Sequence, residues 1–322
     1  MLVGALVQNF GGFPETARST RACVDLAQHA ERAGYASVWV TDHIVLPAER
    51  TAQYPHNDSG HFPYTAAQDI HEPLVLLGAL ASATSRVTLG TAVLVLPYRH
   101  PLTLAKMLAT VDQLAEGRLV VGTGVGWLRD EFAALGLDHL YPVRGRVTDE
   151  YLQVMRTAWT SDAPFSFAGT HVAFGEIGAL PRPARRPHPP LWVGGKGPRA
   201  LARVTAHGDG YFAIASTPDE LAVEVRALRE LAATAGRDAR RLTIALIDGV
   251  VVTERPLGDD RAPLHGTVEQ IHDGLERYAA AGLDHLVAGV RLAGDPTFAG
   301  ACAALDAVAP LLPHLAPTEA TA

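Results

Sequence analysis

Eight short runs rich in β-branched and aromatic residues recur along the chain, each followed by a longer connection, most of them with helical spacing. This alternation is the signature of parallel βαβ units and the strongest constraint on the fold. The runs fall at 2–8, 37–42, 87–95, 119–122, 191–194, 211–214, 243–251 and 285–290. Helical periodicity occupies 20–33, 72–84, 102–114, 198–207, 219–235, 268–281 and 298–311. Glycine follows Ala33, Ala235 and Ala281, where a left-handed backbone can end a helix, and Thr217-Pro218 ahead of Asp219-Glu220 is a helix start. Eight such units in one series favour closure into a (β/α)8 barrel over an open doubly wound sheet. The expected organisation is one barrel domain over 1–315 and a frayed tail over 316–322.

Two segments exceed a minimal barrel. Residues 44–71 are rich in His, Tyr, Pro and Asn and longer than ordinary connections, as expected of a lid or binding loop. Residues 164–190 are expected to form a β-hairpin over 165–174, centred on Gly169, with a proline-rich return. Arg182, Arg185 and Arg186 in that return, interrupted by Pro181, Pro183 and Pro187, read as a solvated loop.

The 322 residues are 48% hydrophobic and 19% charged, enough to bury a large core. A net charge of −7 and a pI near 6.0 argue against nucleic-acid or anionic-membrane partners, which need concentrated basic surface. Met1 runs into apolar residues without a basic start, and no apolar run approaches the roughly 20 residues of a bilayer span. Cys23 and Cys302 read as small hydrophobes and not as a bridge, so a cytoplasmic location is expected.

In a closed barrel, functional groups gather at the carboxyl ends of the strands. The second run delivers Asp42 and His43 at its exit, an imidazole able to act as acid or base beside a carboxylate able to position a cofactor. The third contains Gly90, Thr91, Ala92 and Val93, small residues that either admit a flat ligand or serve packing. The fourth ends in Gly122, Gly124, Val125, Gly126 and Trp127. Those glycines alternate and lack the dinucleotide fingerprint; they suit close passage beneath a planar ligand, with Trp127 as a wall. After the fifth come Gly194, Gly195, Lys196 and Gly197, with Pro198 opening a helix. Helix-terminal amides, glycines and an ammonium make an anion site, most simply for a cofactor phosphate. His56, His61 and His71 sit on the long loop, but no His-x-His or His-Glu-x-x-His run occurs, so no metal is expected. A Gly-x-Ser-x-Gly nucleophile elbow is also missing.

Taken jointly, Thr41-Asp42-His43, the run 86–93, Gly124-Val125-Gly126-Trp127 with Glu131-Phe132, and Pro190 to Gly195 resemble the luciferase-like flavin and deazaflavin oxidoreductases. The resemblance spans nearly the whole chain and implies a (β/α)8 barrel with insertion loops, usually a homodimer. It implies coenzyme F420 as cofactor, with FMN as the alternative and a small organic molecule as substrate. Residue by residue, it implies that Asp42 contacts the deazaflavin, and that His43 lies against its reacting ring as the catalytic proton donor or electrostatic partner. It places a non-proline cis peptide at Ala92-Val93, and the phosphate on Gly194, Gly195 and Lys196. Thr91, Ala92, Val93, Gly124, Val125 and Trp127 complete the cofactor bed. Sugar-phosphate dehydrogenases of the family carry a glutamate where this chain has Val125, which argues against glucose 6-phosphate. The activity implied is hydride transfer; an FMN-dependent monooxygenase and a non-catalytic cofactor-binding protein are the alternatives.

Overall fold

The structure is a computed structural model that describes residues 1–13, 19–50, 52–55 and 59–315. Eight parallel strands close on themselves: β1 (Leu2–Leu6), β2 (Ser37–Val40), β3 (Thr88–Thr91), β4 (Leu119–Gly124), β5 (Leu191–Gly194), β6 (Gly210–Ile214), β7 (Thr243–Val252) and β8 (His285–Leu292). Closure is direct, since β8 pairs with β7 from Ala245↔His285 onward and with β1 from Leu2↔His285 onward. The chain is therefore a closed (β/α)8 barrel, as the alternation of runs predicts.

The helices α1 (Ser19–Arg32), α2 (Pro73–Ala83), α3 (Pro101–Leu114), α4 (Arg129–Ala134), α5 (Arg144–Thr160), α6 (Pro198–His207), α7 (Pro218–Thr234), α8 (Val268–Ala280) and α9 (Phe298–Val308) stand outside the strands. Thr217 caps α7 in a reciprocal capping box with Glu220, which satisfies two amides of its first turn. The sequence reading named neither α4 nor α5. Yet α5 buries Val147, Tyr151, Leu152, Met155 and Trp159, a helical stripe that sits against α3. Among the described residues, no helix is long and apolar enough to cross a membrane.

Two strands differ from expectation. The run 87–95 is not one strand: β3 stops at Thr91, the Ala92–Val93 peptide is cis, and Leu94–Val95 then pairs separately with Thr123 and Gly124. That pairing extends β4 two residues beyond the expected 122.

Inside the barrel, Trp39 stacks on Trp192 at 5.2 Å, and Phe212, Val120, Ala245 and Val287 fill the same layer. Trp39 Nε1 donates to Ser37 Oγ (2.6 Å), which also meets His285 Nε2 at 2.7 Å. Burial, aided by the N-terminal ammonium, depresses the His285 pKa to about 4, so the ring is neutral. A Cβ on Gly90 would lie 2.2 Å from the Trp39 ring. Of the two readings for the small residues of β3, Gly90 serves packing and not a ligand.

The hairpin pairs Phe165–Ala168 with Ala173–Ile177, and Glu150 of α5 accepts the amides of Thr170, His171 and Val172 to close its loop. Arg185 and Arg186 are exposed as expected, whereas Arg182 is half-buried against Asp162 and the Ser161 carbonyl. Cys23 is buried and Cys302 partly so, both free. Residues 316–322 and His56 lie outside the described residues.

Candidate active site at the barrel mouth

The exit of β2 is fixed before any functional group appears. Asn9, just beyond β1, clasps Thr41: its Oδ1 accepts from the Thr41 amide and hydroxyl, both at 2.9 Å, and its Nδ2 donates to the Thr41 carbonyl at 2.8 Å. With Thr41 held, Asp42 and His43 turn to different partners.

Asp42 is buried and bonded bidentately to Arg99 (2.8 and 2.9 Å), while its Oδ2 also accepts the Val95 amide at 2.9 Å. Burial works against the Arg99 charge, but hydrogen bonds and charge from Asp42 and Glu72 outweigh it and raise its pKa. The Asp42 side chain has no solvent access. The expected contact between Asp42 and the cofactor is thus corrected: this carboxylate fixes the turn after the cis peptide from one layer behind the mouth.

His43 turns to Glu131, a residue whose role the sequence reading missed. Glu131 lies in the first turn of α4, fully buried, and its carboxylate is 2.5 Å from His43 Nδ1. The same Oε2 accepts from the Tyr98 hydroxyl (2.8 Å), and Oε1 accepts from the amides of Ile44 (2.6 Å) and Val45 (3.2 Å). Burial, then the Glu131 charge, push the Tyr98 phenol far up, so it remains a donor. Donors occupy the other acceptor directions of the carboxylate, so the imidazole bond is Nδ1–H donating to Glu131, which leaves Nε2 facing away from it. Among the described residues Nε2 has no hydrogen-bond partner. An imidazole oriented by a buried carboxylate is an arrangement able to act as an acid or base.

Aromatic rings enclose that imidazole. Phe10, following β1, meets it edge-on at 5.3 Å, Phe62 lies at 5.4 Å and Trp127 at 6.2 Å. Phe62 belongs to the long insertion, which Arg50 folds onto the mouth by bonding the carbonyls of Phe62 and Tyr64. Trp127 packs on Tyr54 and Phe62 beside the imidazole. His71 of the same loop is bound to Ser19 Oγ (3.0 Å).

The other site candidates divide. The Thr91 hydroxyl is spent inside the barrel on the Gly122 carbonyl (2.7 Å), and the residue is fully buried, which corrects its reading as a cofactor contact. Val93 reaches across the ends of β4 and β5: a Cβ on Gly124 would meet its Cγ2 at 2.6 Å, and one on Gly194 its Cγ1 at 3.2 Å. These glycines therefore make room first for Val93, not directly for a ligand. Ala92 is buried and Val125 half-buried beside them.

The turn after β5 is open. Gly195 and Gly197 have φ of +130° and +81°, and a Cβ on Gly197 would meet nothing within 4 Å. Gly197 caps α6 without a side-chain bond, and among the described residues the amides of Gly195, Lys196 and Gly197 donate to no acceptor. The Lys196 ammonium, bonded to the Ala215 carbonyl at 3.2 Å, adds positive charge. Unused amides, a helix N-terminus and an ammonium on an uncrowded turn fit an anionic group such as a phosphate.

The family model described as luciferase-like monooxygenase matches residues 1–257. The chain belongs to that family. Among its luciferase-like relatives, an uncharacterized protein of Mycobacterium tuberculosis (strain ATCC 25618 / H37Rv) is 36% identical over 226 residues, 68% of this chain and 77% of that protein. The FMNH(2)-dependent dimethylsulfone monooxygenase of Pseudomonas putida is 31% identical over 212 residues, 66% of this chain and 53% of the enzyme. The luciferase-like barrel itself superposes on an F420-dependent secondary alcohol dehydrogenase, solved with an F420-acetone adduct, with a TM-score of 0.80 at 21% identity, covering 98% of this chain and 99% of that one. At that identity the likeness speaks for the fold alone.

Proposed function

We propose that this luciferase-like protein is a coenzyme F420-dependent oxidoreductase exchanging a hydride with a small alcohol or carbonyl compound. The observation that carries the reading is His43, fixed by Glu131 through Nδ1, with Nε2 left without a hydrogen-bond partner among the described residues inside an aromatic enclosure. Coenzyme F420, when bound, supplies a two-electron hydride acceptor whose reacting atom is carbon. In the oxidative direction His43 Nε2 takes the hydroxyl proton as the carbinol hydride leaves, and Glu131 stabilises the imidazolium so formed. Phe10, Phe62 and Trp127 exclude water, which strengthens that charge interaction. Gly195, Lys196 and Gly197 hold the anionic part of the cofactor, and Val93 with the ends of β4 and β5 supports its ring.

A second reading, an FMN-dependent monooxygenase, is favoured by the 31% identity to the dimethylsulfone enzyme. Parallel titrations of the purified protein with coenzyme F420 and FMN separate the two. The proposal expects micromolar affinity for coenzyme F420 and its reduction by an alcohol from a substrate panel. Tight binding of FMN alone, with oxygen consumed on turnover, would overturn it.

A further inference from the structure

The helix that carries Glu131 cannot hold its own place. α4 has six residues and no side-chain cap at Leu128, and a helix so short is not stable without tertiary contacts. Tyr98 supplies two of them. It ends the short helical turn Leu96–Tyr98 beyond the exit of β3, and it meets two consecutive residues of α4. Its ring packs edge-on against the fully buried Phe132 at 4.9 Å, and its hydroxyl donates to Glu131 Oε2 at 2.8 Å.

The other three donors to Glu131 all come from residues 43–45. By themselves they would join His43 and Glu131 into a pair that shifts with the chain after β2. Among the described residues, the Tyr98 hydroxyl is the one donor from another segment, and it falls on the same oxygen as His43 Nδ1. The residue next to it, Arg99, grips Asp42 bidentately, and the Val95 amide donates to Asp42 as well. Residues 95–99 therefore fasten both members of the Asp42-His43 step, Asp42 directly and His43 through Glu131. They begin two residues beyond Val93, the side chain assigned to the support of the cofactor ring.

We propose that Tyr98 is a positioning residue for the reaction: its hydroxyl fixes the carboxylate oxygen that orients His43, and so holds the imidazole in register with the ring support at Val93. The inference rests on the proposed role of His43 and adds a residue that acts on it through Glu131. Such a role has leverage, because a reacting group displaced by about 1 Å can slow its reaction about 10²-fold.

Tyr98→Phe keeps the ring on Phe132 and removes the hydroxyl alone. Two measurements test it. The first uses the protein by itself: the His43 Nδ1 proton is followed by NMR in water, as the downfield line missing from His43→Ala. In Tyr98→Phe this line is expected to broaden, because a less firmly held carboxylate lets the proton exchange faster with water. The second is single-turnover reduction of coenzyme F420 by an alcohol. Tyr98→Phe is expected to slow it about tenfold, the loss of one hydrogen bond to a charged group, while cofactor affinity and half-saturating substrate stay within about twofold. Phe132→Leu trims the packing and leaves the hydroxyl bond. It is expected to lower the denaturation midpoint and to keep the rate within about threefold of wild type.

An unchanged NMR line or an unchanged rate in Tyr98→Phe would overturn the proposal, as would an equal slowing in Phe132→Leu, which would make Tyr98 a packing residue only. A line that broadens in a protein unable to reduce coenzyme F420 would overturn the cofactor reading and leave the hold of Tyr98 on His43 standing.

Discussion

Glu131 receives four donors from two separate segments: the His43 ring and the two amides after it, and the Tyr98 phenol. A carboxylamide there keeps the shape but turns an NH2 toward a donor, leaving buried groups unpaired at a cost of about 1–3 kcal/mol. Glu131→Gln is therefore expected to lower stability by that amount in chemical denaturation, and also to lower turnover by roughly 10²-fold or more, because the imidazolium loses its counter-charge. Lost stability with unchanged turnover would make the residue structural only. His43 was legible in the sequence because a strand pattern ends there, and strand ends face the mouth. Glu131 was not, because it meets His43 across 88 positions of chain and its own helix has only six residues, too few to show a buried face. Asp42 was misread for a related reason: its position was right, but nothing local to it discloses that Arg99 would absorb both its oxygens.

At the scale of elements, each strand's apolar run was readable because a strand buried on both faces has few other sequences open to it. The break in the third was not, since 87–95 keeps its apolar character through the cis peptide at Ala92–Val93. Glycines on these strands reported packing more than ligand approach. Gly90 faces the Trp39 ring, the center of the barrel's stacked indole pair. Gly90→Ala is expected to cost about 1–3 kcal/mol by overpacking and to shift the tryptophan emission of the folded protein. An unperturbed spectrum and denaturation midpoint would mean that the indole has another place to go. The turn after β5 was legible for the opposite reason: glycines, lysine and Pro198 at a helix start are local signals that need no distant partner.

Across the whole molecule, the barrel interior carries a neutral histidine in contact with Ser37 and the two stacked indoles. An unfolded histidine titrates near 6.5, whereas His285 in the fold titrates near 4. Its contribution is therefore complete above pH 6.5, and is lost as pH falls from 6.5 toward 4, by about 3 kcal/mol at most. Over that window the stability of wild type should fall more than that of His285→Gln by about this amount, measured by urea denaturation at each pH. Parallel curves for the two proteins would show that the ring does not titrate as its burial dictates. The same barrel brings the exits of β2, β4 and β5 to one end, which puts a fixed imidazole, an aromatic enclosure and an open glycine turn with Lys196 around one mouth. The most direct test of that assembly is a single-turnover measurement: protein loaded with oxidised coenzyme F420 is mixed with an alcohol substrate, and loss of deazaflavin absorbance is followed in wild type and His43→Ala. The account predicts that the variant binds the cofactor within a few-fold of wild type yet loses the absorbance at least about 10²-fold more slowly. Equal rates in the two proteins would contradict it.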